Sequence, residues 1–198
     1  MVTGTSPLRG PLRKRNSHLW ERDERDWYVE PEWCSERLFE MEKFEGSVCD
    51  PAAGCGRIVR SAIKAGVPGY GSDIEPRSED VAGPFDFLSY QVEAMAAPNI
   101  VSNPPFRRAE QFAKLALQVA SCKVALLLTA NWVQGDKRSR WLETTPLRRV
   151  LYITPRPSMP PGAVLAAGGK PGNGTTDYAW YVWEHGYTGK PEIGWCRR

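Results

Sequence analysis

The part of the chain most informative about its fold is Ser47-Val48-Cys49-Asp50-Pro51-Ala52-Ala53-Gly54-Cys55-Gly56. A short apolar run ends at Asp50, a loop with two glycines follows, and a helical pattern starts at Gly56. Because glycine lacks a Cβ and tolerates positive φ, this loop can approach a ligand closely. In an open α/β sheet, loops at the carboxyl ends of strands form the ligand crevice. The stretch therefore predicts a strand, a binding loop and a helix.

A second loop of the same kind lies about fifty residues downstream. The apolar run Ile100-Val101 leads into Asn103-Pro104-Pro105-Phe106, and another helical pattern follows. Two such loops at one edge of a sheet indicate a single site that holds two substrates.

The remaining periodicity extends this alternation. Strands are predicted over 47–49, 68–74, 100–102, 124–129, 150–154 and 178–183, and a short third strand or its end over 85–88. A helical pattern lies within 27–44, and helices are predicted over 56–65, 91–96 and 110–120. The helix over 56–65 is expected to bury Ile58, Val59, Ala62 and Ile63. Strands alternate with helices until residue 129, and two strands follow. The pattern predicts an α/β fold with a mostly parallel, doubly wound sheet and a C-terminal antiparallel hairpin.

Composition fits one domain of ordinary size. Of 198 residues, 41% are hydrophobic and 25% are charged, which predicts a single domain over 25–198. A basic arm over 1–24 is expected to be flexible, and it carries Arg9, Arg13, Lys14 and Arg15. This arm is either a solvated tail or a segment that contacts phosphates. The Pro- and Gly-dense segment 155–177 is expected to be a long functional loop.

Several classes of protein are disfavoured by what the sequence lacks. It has no run of 18 apolar residues and no apolar signal-peptide core, so we expect no membrane partner. Five scattered cysteines without a Cys-x-x-Cys pair, and only two histidines, predict neither a disulfide framework nor a metal site. The cysteine usage predicts a protein of the reducing cytoplasm. Nothing in the sequence specifies an oligomeric state.

Taken together and in this order, the two loops resemble those of S-adenosylmethionine-dependent amino-methyltransferases, chiefly the DNA adenine-N6 group. The resemblance covers about 27–184 and is greatest to small methyltransferases of phages and prophages. It implies a Rossmann-like class I methyltransferase domain with S-adenosyl-L-methionine as its cofactor.

The resemblance also implies a set of cofactor contacts. The glycine loop would hold the methionine part of the cofactor, with Asp50 directed at its ammonium group. Asp73, which ends the second predicted strand, can accept both ribose hydroxyls as in dinucleotide folds, or cap a turn. Asp86 would accept the adenine amino group and Phe87 would flank its ring, although Asp86 also suits a surface turn. The expected cofactor-binding residues are Tyr28, Pro31, Asp50, Ala52, Gly54, Gly56, Asp73, Ile74, Asp86 and Phe87.

A further family motif corresponds to Trp27-Tyr28-Val29-Glu30-Pro31. Many relatives have Thr-Pro where this chain has Glu30-Pro31, so the contacts of Glu30 are left open. Trp27 and Trp33 belong either to this motif or to the core.

The second loop supplies the candidate catalytic residues Asn103, Pro104, Pro105 and Phe106. A conjugated exocyclic amino group is a poor nucleophile and needs its lone pair turned towards the methyl group. The side-chain oxygen of Asn103 and the carbonyl of Pro104 can accept its two protons, while consecutive prolines stiffen the loop. Phe106 offers a face for a flipped base. The alternative is a rigid turn with a core aromatic residue.

Basic residues interleaved with aromatic ones predict a nucleic-acid surface, with DNA the expected partner and RNA also compatible. The candidates are Arg107, Arg108, Lys137, Arg138, Arg140 and Arg156, near Trp132 and Trp141. A solvated helix face with structural tryptophans is the alternative.

The favoured function is methylation of adenine N6 in DNA. Other amino or amide acceptors stay open, namely RNA adenine, cytosine N4 and protein glutamine, because the Asn-Pro-Pro-aromatic motif is shared with glutamine methyltransferases. A catalytically idle nucleic-acid-binding module is the non-enzymatic alternative. The intact Asn103, Asp50 and Asp73 argue against it.

Overall fold

A computed structural model describes Asp23 and residues 26–89 and 97–198. The predicted helix over 91–96, and the basic arm apart from Asp23, lie outside these residues. The helices are α1 (Glu32–Met41), α2 (Arg57–Lys64), α3 (Ala109–Val119), α4 (Asp136–Glu143) and α5 (Gly162–Ala166). The strands are β1 (Val48–Asp50), β2 (Gly69–Ser72), β3 (Val81–Ala82), β4 (Ala97–Ser102), β5 (Ala120–Thr129), β6 (Leu147–Thr154), β7 (Tyr178–Glu184) and β8 (Glu192–Arg197).

The described strands form one sheet in the order β3-β2-β1-β4-β5-β7-β6-β8. Every neighbouring pair of these strands is parallel except the two made by β7, which runs antiparallel to β5 and β6. The predicted mostly parallel sheet with an antiparallel C-terminal pair is therefore confirmed. Strand β8 was not predicted from the sequence. Gly194 interrupts the alternation of apolar and polar residues there, and the apolar side chains of Ile193 and Trp195 are exposed.

The core lies on both faces of the central strand β5. Side chains of Val124, Leu126 and Leu128 pack on one face, with Phe112 of α3. Ala125 and Leu127 pack on the opposite face, with Leu38 of α1 and Ile58 of α2. This two-sided burial explains the continuous apolar run in the sequence and places the sheet between two helical layers.

The predicted strand over 85–88 is wrong. Strand β3 is Val81–Ala82, and Phe87–Ser89 is a 3₁₀ turn. Asp86 causes this turn, because its Oδ1 accepts a hydrogen bond from the Leu88 N–H and its carbonyl accepts one from the Ser89 N–H. Such local bonds compete with strand pairing.

Helix α2 buries a different stripe from the predicted one. Ile58, Val59 and Ala62 are buried, but Ile63 is 57% exposed. Ser61 completes the stripe instead, since its hydroxyl lies 2.8 Å from that of Ser35 on α1. Among the described residues no helix is both long enough and apolar enough to span a bilayer.

Candidate active site

A cleft of about 700 Å³ opens at the carboxyl ends of β1, β2 and β4. Both predicted loops line it, as does the segment before α1. Of the predicted site residues, the cleft is lined by Tyr28, Asp50, Ala52, Gly54, Asp73, Ile74, Asp86, Phe87, Asn103, Pro105, Arg107 and Arg108. Pro31, Gly56, Pro104 and Phe106 are not among the lining residues.

The glycine loop needs its two glycines for backbone reasons. Gly54 has φ +51° and Gly56 has φ +78°, a left-handed conformation that other residues rarely adopt. Gly56 occupies the N-cap of α2. The Gly54 N–H donates a 2.7 Å hydrogen bond to Oδ2 of Asp73, so the loop is tied to the end of β2.

Asp50 is a buried carboxyl group at the start of the glycine loop. Its Oδ1 accepts hydrogen bonds from the Ser102 hydroxyl at 2.7 Å and from the Ala52 N–H at 3.1 Å. Burial raises the pKa of Asp50 to about 8, against the effect of these bonds. A cation in the cleft would favour the ionised form, which is compatible with the predicted ammonium contact. Ser102 was not identified from the sequence, because a serine ending a strand carries no distinctive pattern.

Asp73 presents a carboxylate beside the glycine loop. Besides the Gly54 contact, its Oδ1 accepts a 2.7 Å bond from the Glu75 N–H, and Arg77 Nη1 lies 3.9 Å from the same oxygen. Burial raises the pKa of Asp73, opposed by the Gly54 hydrogen bond and the Arg77 charge. Since a carboxylate has about four lone-pair positions, acceptor capacity remains for a diol.

Asp86 and Phe87 also line the cleft. Asp86 forms the turn described above, and its Oδ2 lies 3.9 Å from Nη1 of Arg108. The ring of Phe87 is buried against Phe112, with 4.6 Å between centroids. Both residues still line the cleft, so the turn and a contact with a bound ring are compatible.

The side-chain amide of Asn103 has one defined orientation. Its Nδ2 donates to the carbonyl of Tyr28 and to Oε2 of Glu30, each at 2.8 Å. The Tyr28 carbonyl is an acceptor only, and so is the Glu30 carboxylate when ionised, so the NH₂ end faces them and Oδ1 is the opposite end of the amide. Glu30 is buried, and burial raises its pKa. Glu30, which stands where many relatives have Thr, is thus in direct contact with Asn103.

Phe106 contacts two tyrosine rings. Its centroid is 5.8 Å from that of Tyr28, at 26° between planes, and 5.8 Å from that of Tyr178, at 33°.

Trp27 forms one wall of the cleft. The Arg77 guanidinium lies 3.8 Å from the centre of its ring. The Gly162 N–H donates to the Trp27 carbonyl at 2.8 Å, and a Cβ at Gly162 would lie 2.0 Å from the indole. The Pro- and Gly-rich segment therefore supports this wall. No sequence pattern indicates Arg77, because only folding brings it to Trp27.

The predicted basic residues fall into two groups. Arg107 and Arg108 flank the cleft, where they pair with Asp26 and Asp86 while their side chains stay 57% and 52% exposed, and Lys137 is exposed on α4. The other three also have intramolecular partners. Arg138 donates to the Trp132 carbonyl and packs over its ring, Arg140 pairs with Asp136, and Arg156 pairs with Asp177.

Trp132 is buried against Tyr181 and Trp183, as expected if the tryptophans near the basic residues are structural. Within the described residues, no cluster of three or more His, Cys, Asp or Glu side chains could hold a metal ion.

Solved structures share this fold at low sequence identity. The modification subunit of a putative type I restriction enzyme from Vibrio vulnificus YJ016 has a TM-score of 0.60 and 13% identity, over 85% of this chain and 46% of that one. The type I restriction enzyme EcoKI M protein has a TM-score of 0.58 and 13% identity, over 80% and 44%. A putative RNA methyltransferase from Pyrococcus horikoshii has a TM-score of 0.53 and 17% identity, over 76% and 83%.

This chain thus spans less than half the length of the two modification subunits. No protein-family model and no curated protein sequence matches it. The strand order, the antiparallel strand β7 and these neighbours show that the chain has the class I Rossmann-like methyltransferase fold.

Proposed function

We propose that this protein transfers the methyl group of S-adenosylmethionine to the N6 amino group of adenine in DNA. The observation that carries the proposal is the orientation of Asn103 at the end of β4. Its two amide protons are bound by Tyr28 and Glu30, so that Oδ1 is available to accept a proton from a substrate amino group.

The cleft suits the proposed cofactor in size and in the chemistry of its donors and acceptors. Asp50 would face the ammonium group, Asp73 would accept the ribose hydroxyls, and Asp86 with Phe87 would bind the adenine ring. When bound, S-adenosylmethionine supplies an electrophilic methyl group on a sulfonium ion. Because this cofactor carries no phosphate, the loop can do without a phosphate-binding lysine.

The chain's own contribution to the reaction is positioning. Asn103 Oδ1 and the Pro104 carbonyl would accept the two N–H groups of the target, which turns the nitrogen lone pair towards the methyl group. Pro104 and Pro105 restrict the backbone of this loop. Orientation of two reactants in this way supplies a large part of many enzymatic rate enhancements.

DNA is the acceptor best supported. Arg107 and Arg108 lie at the rim of the cleft, directly after the Asn-Pro-Pro-Phe loop, and can contact phosphates next to the reacting base. That loop resembles the one in DNA adenine-N6 methyltransferases, and two of the structural neighbours are modification subunits of restriction enzymes.

The test is a competition among acceptors. The protein is incubated with methyl-labelled S-adenosylmethionine and equal nucleotide amounts of double-stranded DNA, single-stranded DNA and RNA, together with a glutamine-containing protein extract. The methylated product is then identified by mass spectrometry. We expect N6-methyladenine in DNA. Label in RNA adenine, in cytosine N4 or in glutamine alone would replace the DNA proposal with that acceptor.

A further inference from the structure

We infer that Glu30 is a positioning residue that determines which end of the Asn103 amide faces the cleft. This inference rests on the proposed methyl transfer through Asn103. It adds a residue that the resemblance does not supply, because relatives with Thr-Pro at this place lack the carboxyl group.

The contact geometry locks the amide. Oε2 of Glu30 and the carbonyl of Tyr28 each accept a 2.8 Å hydrogen bond from Nδ2 of Asn103. Rotating the amide by 180° would place Oδ1 against two acceptors and leave both of them without a donor. A buried acceptor without a donor costs free energy, because it has lost its hydrogen bonds to water and made none in the protein. The rotated form would have two such acceptors, so it is disfavoured. The pair of acceptors therefore selects one orientation of Asn103.

Glu30 is itself held in place on both sides. The residue is only 6% exposed, and its carbonyl accepts a 2.7 Å hydrogen bond from Nη1 of Arg57 on α2. The neighbouring Val29 N–H donates to the carbonyl of Pro160 at 3.1 Å. These bonds fix the backbone from which the Glu30 side chain reaches Asn103.

The chemistry of the carboxyl group favours this role. Burying an acidic group destabilises a protein, and an apolar side chain would fill the same space at lower cost. Burial raises the pKa of Glu30, whereas the Asn103 hydrogen bond and the Arg57 charge act in the opposite direction. An ionised carboxylate has acceptors only, so it cannot present the wrong end to Asn103.

The experiment is a double-mutant cycle between Glu30 and Asn103. Methyl transfer to the preferred acceptor and cofactor affinity are measured for the wild type, Glu30→Gln, Glu30→Leu, Asn103→Ala and Glu30→Leu/Asn103→Ala. We expect Glu30→Leu to lower kcat roughly 100-fold, as for loss of an oriented catalytic hydrogen bond, with unchanged cofactor affinity. Glu30→Gln keeps an acceptor oxygen and should stay within about threefold of the wild type. In the Asn103→Ala background, Glu30→Leu should have no further effect.

A structural role predicts a different result. If Glu30 only supported the fold, Glu30→Leu would lower kcat by the same factor in the wild type and in Asn103→Ala. Glu30→Gln would then be no more active than Glu30→Leu. Ser35→Ala is the matched control, because it also removes a buried polar contact of the N-terminal region but does not touch Asn103. We expect it to transfer methyl groups like the wild type. Equal losses in both backgrounds, or wild-type kcat in Glu30→Leu, would overturn the assignment.

A second readout separates this inference from the proposed function. The side-chain NH₂ signals of Asn103, assigned by their loss in Asn103→Ala, are followed by ¹⁵N NMR. The NH₂ protons should exchange slowly with solvent in the wild type and in Glu30→Gln. In Glu30→Leu their chemical shifts should change and their exchange should be faster. If no acceptor is methylated but the signals behave in this way, the proposed function fails and the positioning contact stands. Signals that do not respond to Glu30→Leu would contradict the contact itself.

Discussion

Oδ2 of Asp73 accepts a 2.7 Å hydrogen bond from the backbone N–H of Gly54, so that the end of β2 holds the loop after β1. Asp73, which we propose to bind the ribose hydroxyls, therefore also shapes the loop proposed to bind the methionine part of the cofactor. A change at Asp73 should affect both proposed contacts.

The first prediction concerns Asp73→Asn. The variant places an amide NH₂ where the N–H groups of Gly54 and Glu75 now find acceptors, so one of these contacts is lost along with a charged acceptor for the diol. We expect S-adenosylmethionine to bind roughly 10- to 100-fold more weakly in calorimetry. Asp80→Asn, at an exposed position, serves as the control. Unchanged affinity in Asp73→Asn would show that the diol lies elsewhere.

The second prediction concerns the stability of the protein without cofactor. Burial raises the pKa of Asp50 to about 8, so the native state binds this proton more tightly than the unfolded chain does. The contribution of this protonated group to the free energy of unfolding is largest below about pH 4, and it is lost as the pH rises through about 8. Denaturant unfolding should therefore show Asp50→Asn gaining stability relative to the wild type between about pH 5 and pH 8. A difference that does not change with pH would contradict the raised pKa.

The third prediction links Asp50 to the cofactor. If the ammonium group and the sulfonium ion bind beside Asp50, they favour its carboxylate form, and binding near neutral pH should release a proton from this residue. Calorimetry in two buffers of different ionisation enthalpy measures the protons exchanged. We expect the wild type to release more protons than Asp50→Asn, and its affinity to rise with pH up to about 8. Equal proton exchange in both proteins would remove Asp50 from the cation site.

A site residue can be predicted from sequence when its role follows from a local pattern. The glycine loop, the Asn-Pro-Pro-Phe loop and Asp73 all follow apolar runs, so their positions at strand ends predict that they line one cleft. Arg77 and Ser102 act through partners that only folding brings near, and no local spacing indicates them. Their roles could not have been predicted.

Two errors have a similar physical origin. The apolar character of 85–88 predicted a strand, but hydrogen bonds to Asp86 form a turn there instead. Helical spacing predicted a buried Ile63, but Ser61 is buried instead, with its hydroxyl in contact with Ser35 on α1, and Ile63 is exposed. In both cases a polar contact lies where the hydrophobic pattern predicted an apolar one.

The fourth prediction tests the wall formed by Trp27. A Cβ at Gly162 would lie 2.0 Å from the indole, so Gly162→Ala should displace this ring from Arg77, lower the Tm and weaken cofactor binding. Adding Trp27→Ala removes the clash, and the double variant should be more stable than the sum of the single effects. Ala163→Ser, at the exposed neighbouring position, should be neutral. Additive effects of the two substitutions would mean that the wall does not depend on this contact.

The fifth prediction concerns the surface that we propose to bind DNA. With Arg107, Arg108, Lys137 and Arg140 contacting phosphates, the logarithm of the binding constant should fall against the logarithm of salt concentration with a slope of about −4. Arg107→Ala/Arg108→Ala should reduce the magnitude of that slope by about 2 and weaken binding to all sequences alike. Lys43→Ala/Lys190→Ala, at exposed positions away from the cleft, is the control. An equal effect of the two double variants would place the nucleic acid on another surface.

The most direct measurement of the central claim is nucleoside mass spectrometry of DNA treated with the wild type and with Asn103→Ala, each saturated with S-adenosylmethionine. Because Asn103→Ala leaves the glycine loop untouched, it should bind the cofactor like the wild type. We expect the wild type to form N6-methyladenine, and Asn103→Ala to form it at least roughly 100-fold more slowly, since one acceptor of the target amino group is gone. Equal rates of N6-methyladenine formation by the two proteins, or its absence from DNA treated with cofactor-bound wild type, would contradict the account.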